Sequence, residues 1–194
     1  MYAYLKGKFT HKTPAQVYLD VNGIGFEVNI SLHTYTAILP LTEGVLFTHL
    51  QIKEDEHVLF GFSDKEEKEI FIQLIGVSGI GAATARMMLS SMKPEEVTKA
   101  ILNGDVRTLE SVKGIGKKTA ERVVLELKDK LGKNPAGAGF SPHSGNSLQQ
   151  DALTALTALG INRNQAEQAI HKIIRNEPGV SLLEELIKKA LKAI

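Results

Sequence analysis

The chain has no cysteine among its 194 residues, which excludes disulfide bonds and thiolate metal sites. Tryptophan is also absent and aromatic residues make up only 6% of the chain, which argues against a surface that stacks exposed bases. No stretch approaches the run of about 18 apolar residues that a membrane-spanning helix needs, and none has the character of an export signal. We therefore expect a cytoplasmic protein with no membrane partner.

An excess of one charge sign is also missing, because 23 Lys and Arg stand against 22 Asp and Glu. The two signs are unevenly distributed along the chain. Residues 1–64 carry 4 basic and 7 acidic side chains, whereas residues 107–133 carry 8 basic and 4 acidic ones. A polyanionic partner is therefore expected at the second region.

A short motif occurs twice in the chain, 35 positions apart. Its seven residues in the first and then the second copy are Leu74, Val77, Gly79, Ile80, Gly81, Thr84 and Ala85, and Leu109, Val112, Gly114, Ile115, Gly116, Thr119 and Ala120. In both copies a Gly-Ile-Gly turn follows an apolar helical turn and precedes another helix. Because the first N–H groups of that helix lack partners within it, the turn predicts an anion-binding site.

The residue types of this turn suit a phosphate. Glycine permits positive φ and, without a Cβ, lets a phosphate reach the backbone, while the isoleucine would fill the space between the helices. In the second copy a lysine pair begins the helix, where its charge opposes the helix dipole unless an anion neutralises it. The phosphate-binding residues that we predict are Gly79, Ile80, Gly81, Thr84, Gly114, Ile115, Gly116, Lys117, Lys118, Thr119 and Arg122.

A Gly-Ile-Gly turn could also only connect two packed helices, although a plain connection needs neither the repeated Thr-Ala nor the lysine pair. Two nucleotide-binding motifs are excluded. A Walker loop needs Gly at position 111 and Ser or Thr at position 118, where the chain has Ser111 and Lys118. A dinucleotide fingerprint needs a third glycine where Thr84 and Thr119 stand. Since backbone amides do not read bases, binding should be independent of sequence and sensitive to salt.

Periodicity and composition predict an α+β multidomain protein. Residues 1–63 favour a small OB-fold β-barrel of five short strands. Residues 64–132 change to a helical period, with Asp64 as an N-cap, and their two Gly-Ile-Gly copies resemble a tandem helix-hairpin-helix domain. Residues 133–146 predict a flexible linker and residues 147–194 a small three-helix bundle. The predicted strands are Tyr2–Phe9, Gln16–Val21, Gly25–Ile30, Val45–Lys53 and Val58–Phe62.

The C-terminal bundle is short enough to have a thin core, so some of its apolar residues are candidates for binding a protein partner. The candidates are Leu153, Leu156, Leu159, Ile173, Leu182 and Leu186. The alternative for each of them is a place in the core of the bundle itself. A nearly balanced charge over residues 134–194, with 6 basic and 5 acidic side chains, favours a protein over a nucleic acid as the partner.

Glu54, Asp55 and Glu56 form an acidic run between two predicted strands. One interpretation is a solvated hairpin turn, and a calcium loop is disfavoured because adjacent carboxylates lack the spacing of its ligands. The other is an acidic pin that repels continuous duplex DNA but tolerates a point where strands separate. The six histidines show no metal-ligand spacing and no nucleophile stands beside a base, so we expect neither a metal nor a catalytic site.

Together these features resemble the RuvA family of Holliday junction-binding proteins. The resemblance rests on the tandem hairpins, the Lys-Glu-Asp turn before Leu59-Phe60-Gly61-Phe62, the string Gly-Ile-Gly-Lys-Lys-Thr-Ala-Glu-Arg from Gly114 to Arg122, and the tethered bundle. It implies a homotetramer that acts in recombination and the repair of DNA damage, including the SOS response. Its hairpins would hold the arms of four-way junction DNA, and Glu54 and Asp55 would form the acidic pin.

The resemblance also implies that the C-terminal bundle docks on the hexameric RuvB ATPase, and it makes the RuvC junction resolvase a candidate partner. ATP would be used by that motor, so the chain itself would need no cofactor. The chain departs from the family pattern where Ala82-Ala83 replace the frequent Pro-Lys, which leaves Arg86 as the nearest cation of the first hairpin.

Two other functions stay open at this point. One is a helix-hairpin-helix DNA repair enzyme of the glycosylase type, which is disfavoured because Asp129 and Lys130 lie in a charged run without an identifiable pocket. The other is an RNA-binding OB protein, which would call for more exposed aromatic residues than this chain has.

Overall fold

The computed structural model describes residues 2–133, 147–177 and 180–193, which belong to two compact units. The predicted linker over 133–146 lies outside the described residues, except for the backbone of Lys133 at the end of a helix. No helix in the described ranges is long and apolar enough to cross a membrane.

The first unit begins with a closed five-stranded barrel, which confirms the predicted OB-like fold. Its strands are β1 (Tyr4–Thr13), β2 (Gln16–Val21), β3 (Ile24–Ile30), β4 (Glu43–Ile52) and β5 (His57–Phe62). They pair in the order β1-β2-β3-β5-β4, with β3 parallel to β5, and β4 closes the barrel against β1. Alternate side chains point inward, so Leu19, Ile30 and Leu46 are buried in the barrel core.

A short helix that the sequence pattern did not predict, α1 (Leu32–Ile38), lies between β3 and β4. Its N-cap is Ser31, whose hydroxyl accepts the N–H of Thr34 at 3.0 Å. At its other end the ammonium group of Lys12 donates to the carbonyl of Ile38 at 3.0 Å, where a cation also complements the helix dipole. These tertiary contacts stabilise a helix that is too short to form on its own.

Five helices follow the barrel and carry both hairpins. They are α2 (Lys65–Ile75), α3 (Ala82–Ser91), α4 (Pro94–Asn103), α5 (Val106–Glu110) and α6 (Lys117–Lys133). The predicted N-cap of α2 is confirmed, because Asp64 accepts the N–H of Glu67 at 2.8 Å. Phe60 and Phe62 of β5 pack against Phe71 of α2, with ring centroids 5.0 and 4.9 Å apart. The barrel wall and the hairpin helices therefore share one apolar core.

A buried carboxylate also ties α2 to the barrel. Glu67 is fully buried, and its oxygens accept hydrogen bonds from the hydroxyl of Ser31 and, at 2.5 Å, from that of Thr34. Burial raises the pKa of the Glu67 carboxyl, although the two hydroxyl donors partly oppose the shift. Ser31 and Thr34 also belong to the cap of α1, so this one side chain organises the starts of two helices.

We expect Glu67→Ala to lower the free energy of unfolding by about 2–4 kcal/mol, because it leaves a cavity and two buried hydroxyls without their acceptor. Glu67→Gln, which keeps the volume, should lower it less. Since the pKa of Glu67 is higher in the folded state, the wild-type protein should lose stability as the pH rises from the ordinary glutamate pKa through the raised value. Urea unfolding at several pH values measures this, and the same pH profile in Glu67→Gln would contradict it.

The second unit is a three-helix bundle, as predicted, and consists of α7 (Ser147–Ala158), α8 (Arg163–Asn176) and α9 (Leu183–Ala193). Asn162 caps α8 by accepting the N–H of Asn164 at 2.9 Å. The apolar faces of the three helices meet in a single core.

Four of the six apolar residues predicted to face a partner lie in that core instead. They are Leu153, Leu156, Ile173 and Leu186, each exposed by 7% or less. Three short helices need their inward-facing apolar residues for their own core, which is the alternative that the sequence left open. Leu159 and Leu182 are exposed by 64% and 66%, so the predicted partner surface is reduced to these two residues.

Candidate nucleic-acid interface

Two Gly-Ile-Gly turns with closely similar backbone geometry connect the helix pairs, one between α2 and α3 and one between α5 and α6. The first glycine of each has positive φ, +93° at Gly79 and +91° at Gly114, a conformation that residues with a Cβ rarely adopt. Glycine is therefore required at these two positions by the backbone alone.

The second glycine of each turn needs a different explanation. Gly81 has φ −86° and ψ 167°, which any residue can adopt, and Gly116 is not among the described residues with positive φ. A Cβ built on either would meet no atom within 4 Å, so packing inside the chain does not require glycine there. The open space lies at the starts of α3 and α6, where Thr84 and Thr119 are half-buried. A group from outside the chain can approach the backbone at this place.

Free N–H groups face that space. The isoleucine between the glycines is buried in both turns, and its N–H donates to the carbonyl three residues earlier, at 3.0 Å for Ile80 and 3.1 Å for Ile115. The next N–H groups, at positions 81–83 and 116–118, have no acceptor among the described residues. The dipoles of α3 and α6 add partial positive charge at the same points. Each turn can therefore bind a phosphate through its backbone.

The two turns differ in the charge around them. Lys117 and Lys118 are exposed at the start of α6, whereas Ala82 and Ala83 hold the equivalent places on α3. The first turn therefore relies on backbone N–H groups, and the second adds two full positive charges.

Two arginines near the turns contact the protein itself. Arg86 on α3 donates to the carbonyl of Ala15 at 3.1 Å and to Oδ1 of Asn29 at 2.8 Å. These contacts anchor α3 to the barrel through Nη1 of Arg86, and because both acceptors are neutral the arginine keeps its positive charge as the nearest cation of the first hairpin. Arg122 on α6 donates to the carbonyl of Ser78 at 3.3 Å, which links the second hairpin to the turn of the first.

The acidic run forms an exposed turn between β4 and β5. Glu56 makes an ion pair with Lys53. Glu54 and Asp55, the two residues predicted to form the pin, have no ion-pair partner within the described ranges, so no direct contact neutralises their negative charge.

The structure brings together three possible metal ligands that are far apart in the sequence. Donor atoms of His33, Asp64 and Glu67 lie within 4.8 Å of one another, the one such group in the described part of the chain. Both oxygens of Glu67 accept hydroxyl hydrogen bonds, and Oδ1 of Asp64 accepts the N–H of Glu67. Because these oxygens already accept hydrogen bonds, we interpret the two carboxylates as part of the hydrogen-bond network that joins the barrel to α2, with Nε2 of His33 at 3.6 Å from Oδ2 of Asp64.

Known proteins match the chain along its whole length. Three family models match it: "RuvA N terminal domain" over residues 1–61, "SAM-like Helix-hairpin-helix tandem" over residues 71–129 and "RuvA, C-terminal domain" over residues 147–194. Similar proteins bear the name Holliday junction branch migration complex subunit RuvA. The one from Christiangramia forsetii is 50% identical over 100% of both chains, that from Flavobacterium psychrophilum is 50% identical over 99% of each, and that from Cytophaga hutchinsonii is 48% identical over 99% of each.

Proposed function

This chain belongs to the RuvA family, and on that premise we propose that it binds four-way DNA junctions as a subunit of a branch migration complex in recombination and repair. The observation that carries the proposal is the pair of turns at 79–81 and 114–116, each with free N–H groups beside open glycines. Two anion sites on one rigid core can hold phosphates of two DNA strands at once.

This mode of binding selects DNA by shape. Backbone N–H groups and lysines contact phosphates, which are the same for every base sequence, so the hairpins contribute affinity and position without reading bases. Besides the angle at which the hairpins hold the DNA arms, another part of the molecule can contribute to discrimination between a junction and a continuous duplex. The acidic turn is suited to this role, because uncompensated carboxylates repel phosphates wherever DNA passes close to them.

We propose a homotetrameric assembly, which the resemblance to the RuvA family implies and which would match the symmetry of the ligand. A homotetramer would place four copies of the hairpin pair and four acidic turns around the four arms of a junction. We propose that the C-terminal bundle docks on the RuvB ATPase, with Leu159 and Leu182 as contact residues because they are exposed apolar side chains. ATP hydrolysis then belongs to that partner, in the cytoplasm, and the chain described here needs no cofactor. RuvC is a further candidate partner.

Membership of the RuvA family does not support the glycosylase alternative. A glycosylase would need a carboxylate or lysine held at a flipped base, whereas Asp129 and Lys130 are exposed on the surface of α6.

The proposal is tested by titrating the purified chain with a fluorescent four-way junction, a linear duplex of the same sequence and an abasic duplex. We expect the junction to bind most tightly, no strand cleavage, and a mass by native mass spectrometry that corresponds to one or two tetramers per junction. Equal affinity for all three DNAs, or cleavage of any of them, would overturn the proposal.

Removing Lys118 should change the salt dependence of junction binding by an amount set by the number of phosphate contacts that are lost. In Lys118→Ala the second turn acquires the alanine that the first turn has at position 83, so a phosphate contact is lost. We expect weaker junction binding and a slope of log affinity against log salt that is flatter by about 0.9 per lost contact, hence by up to about 3.6 in a tetramer. The reciprocal variant Ala83→Lys should steepen the slope. An unchanged slope in Lys118→Ala would show that this lysine does not contact DNA.

A further inference from the structure

Lys53 and Glu56, which flank the pin residues Glu54 and Asp55, contact each other across the acidic turn. The N–H of Lys53 donates to the carbonyl of Glu56 at 2.9 Å, and the ammonium group of Lys53 pairs with the carboxylate of Glu56. The two side chains are equally exposed, at 50% each. The pair therefore lies at the base of the turn, and Glu54 and Asp55 form its exposed tip.

The ion pair between Lys53 and Glu56 determines which residues of the turn carry its net charge. One lysine and three acids stand in four consecutive positions, which gives a net charge of −2. Because Lys53 and Glu56 neutralise each other, the whole of that charge is carried by the tip. The carboxylate of Glu56, as hydrogen-bond acceptor and as charge, raises the pKa of Lys53, and the charge of Asp55 adds a smaller effect in the same direction.

Without the carboxylate of Glu56, Lys53 would attract DNA to the turn, whereas Glu54 and Asp55 repel it. An exposed ammonium group on a flexible stem is attracted to phosphates, and each lysine–phosphate contact releases counterions and strengthens binding to any DNA. Beside the pin, such a contact would offset the repulsion that Glu54 and Asp55 exert. An exposed ion pair adds little to folding stability, so stability is a poor explanation for this one.

We propose that Glu56 is a specificity-determining residue, whose carboxylate keeps Lys53 away from DNA phosphates so that the turn presents only the negative charge of Glu54 and Asp55. This inference rests on the proposed function, because it concerns how the same turn discriminates between junction and duplex. Glu56 is then not a third acid of the pin but a positioning residue that acts through Lys53.

Three variants test this assignment: Glu56→Gln, Lys53→Met and the double variant. In Glu56→Gln the freed lysine should reach a phosphate, so the salt slope for linear duplex should steepen by about 0.9 for each copy that makes the contact. The ratio of junction to duplex affinity should fall at least about threefold. Lys53→Met alone should leave the salt slope unchanged, because the lysine makes no DNA contact in the wild-type protein. Adding Lys53→Met to Glu56→Gln should restore both the slope and the ratio.

The matched control is Glu167→Gln, which breaks the exposed ion pair between Arg163 and Glu167 at 2.9 Å on α8. It should leave duplex binding and the salt slope unchanged, and thermal melting should show all variants folded. A flatter slope in Lys53→Met would overturn the inference, since it would mean that this lysine already contacts DNA. Wild-type behaviour of Glu56→Gln would overturn it as well. If the wild-type protein itself binds junction and duplex equally well, that separate result would reject the proposed function.

Discussion

A variant with Gly81→Asp and Gly116→Asp should bind a four-way junction at least about a hundredfold more weakly while its melting temperature stays the same or rises. Both glycines directly precede a helix, a position at which aspartate is among the preferred residues. Neither has a conformation that excludes a side chain, and the space above each is open. The substitution is therefore compatible with the fold.

The expected loss comes from repulsion at the phosphate. Two unit charges about 4 Å apart repel by roughly 4 kcal/mol at the effective permittivity of a protein surface. Even a third of that value at each of two sites amounts to about a hundredfold in affinity. Binding is followed by fluorescence anisotropy and stability by thermal melting.

The neutral variant Gly81→Asn with Gly116→Asn is the matched control, because asparagine has the same shape and is an equally good N-cap. It should bind more weakly than the wild-type protein through steric hindrance alone, and more tightly than the aspartate variant. Alanine at Gly79 and Gly114 should behave differently, since positive φ makes those changes destabilise the fold. Wild-type junction affinity in the aspartate variant would show that DNA does not approach these turns.

The elements that the sequence predicted well are those whose cause is local. The Gly-Ile-Gly repeat predicted the turns because glycine at positive φ and a buried isoleucine depend on adjacent residues. The strand predictions came from an alternation of period 2, and their errors lie at the ends, where β1 runs on to Thr13 and β4 starts at Glu43. Helix α1 was missed because its stability depends on Lys12 and Glu67, which are distant in the sequence.

The features that the sequence could not predict depend on contacts between distant residues. In the sequence, Arg86 and Arg122 look like cations without protein partners next to phosphate sites. In the structure they donate hydrogen bonds to residues that lie 57 and 44 positions away in the chain. A leucine looks the same in the sequence whether it faces a core or a partner, so only the packed bundle distinguishes the buried Leu156 of α7 from the exposed Leu159 in the turn after that helix. Glu67 looks like a surface residue of α2 until Ser31 and Thr34 are placed against it.

Neutralising the pin with Glu54→Gln and Asp55→Asn should raise the affinity for linear duplex and lower the preference for a junction by roughly tenfold. The two carboxylates are exposed and have no ion-pair partner in the described residues, so both are accessible to repel DNA phosphates. A continuous duplex laid across the turn brings phosphates close to these charges, whereas a junction can place its open crossover there. Competition of unlabelled duplex against a labelled junction measures the preference directly.

The control for this variant is Glu43→Gln, which removes an exposed acid at the opposite end of β4, about 30 Å along the strand from the pin. It changes the net charge of the barrel, so a general electrostatic effect would appear in both variants, whereas an effect of position appears only in the pin variant. Because charges separated by more than about 10 Å are screened at 0.1 M salt, the pin effect should persist at that ionic strength and any effect of Glu43→Gln should vanish. A junction preference that survives neutralisation of Glu54 and Asp55 would mean that discrimination comes from the angle at which the hairpins hold the arms.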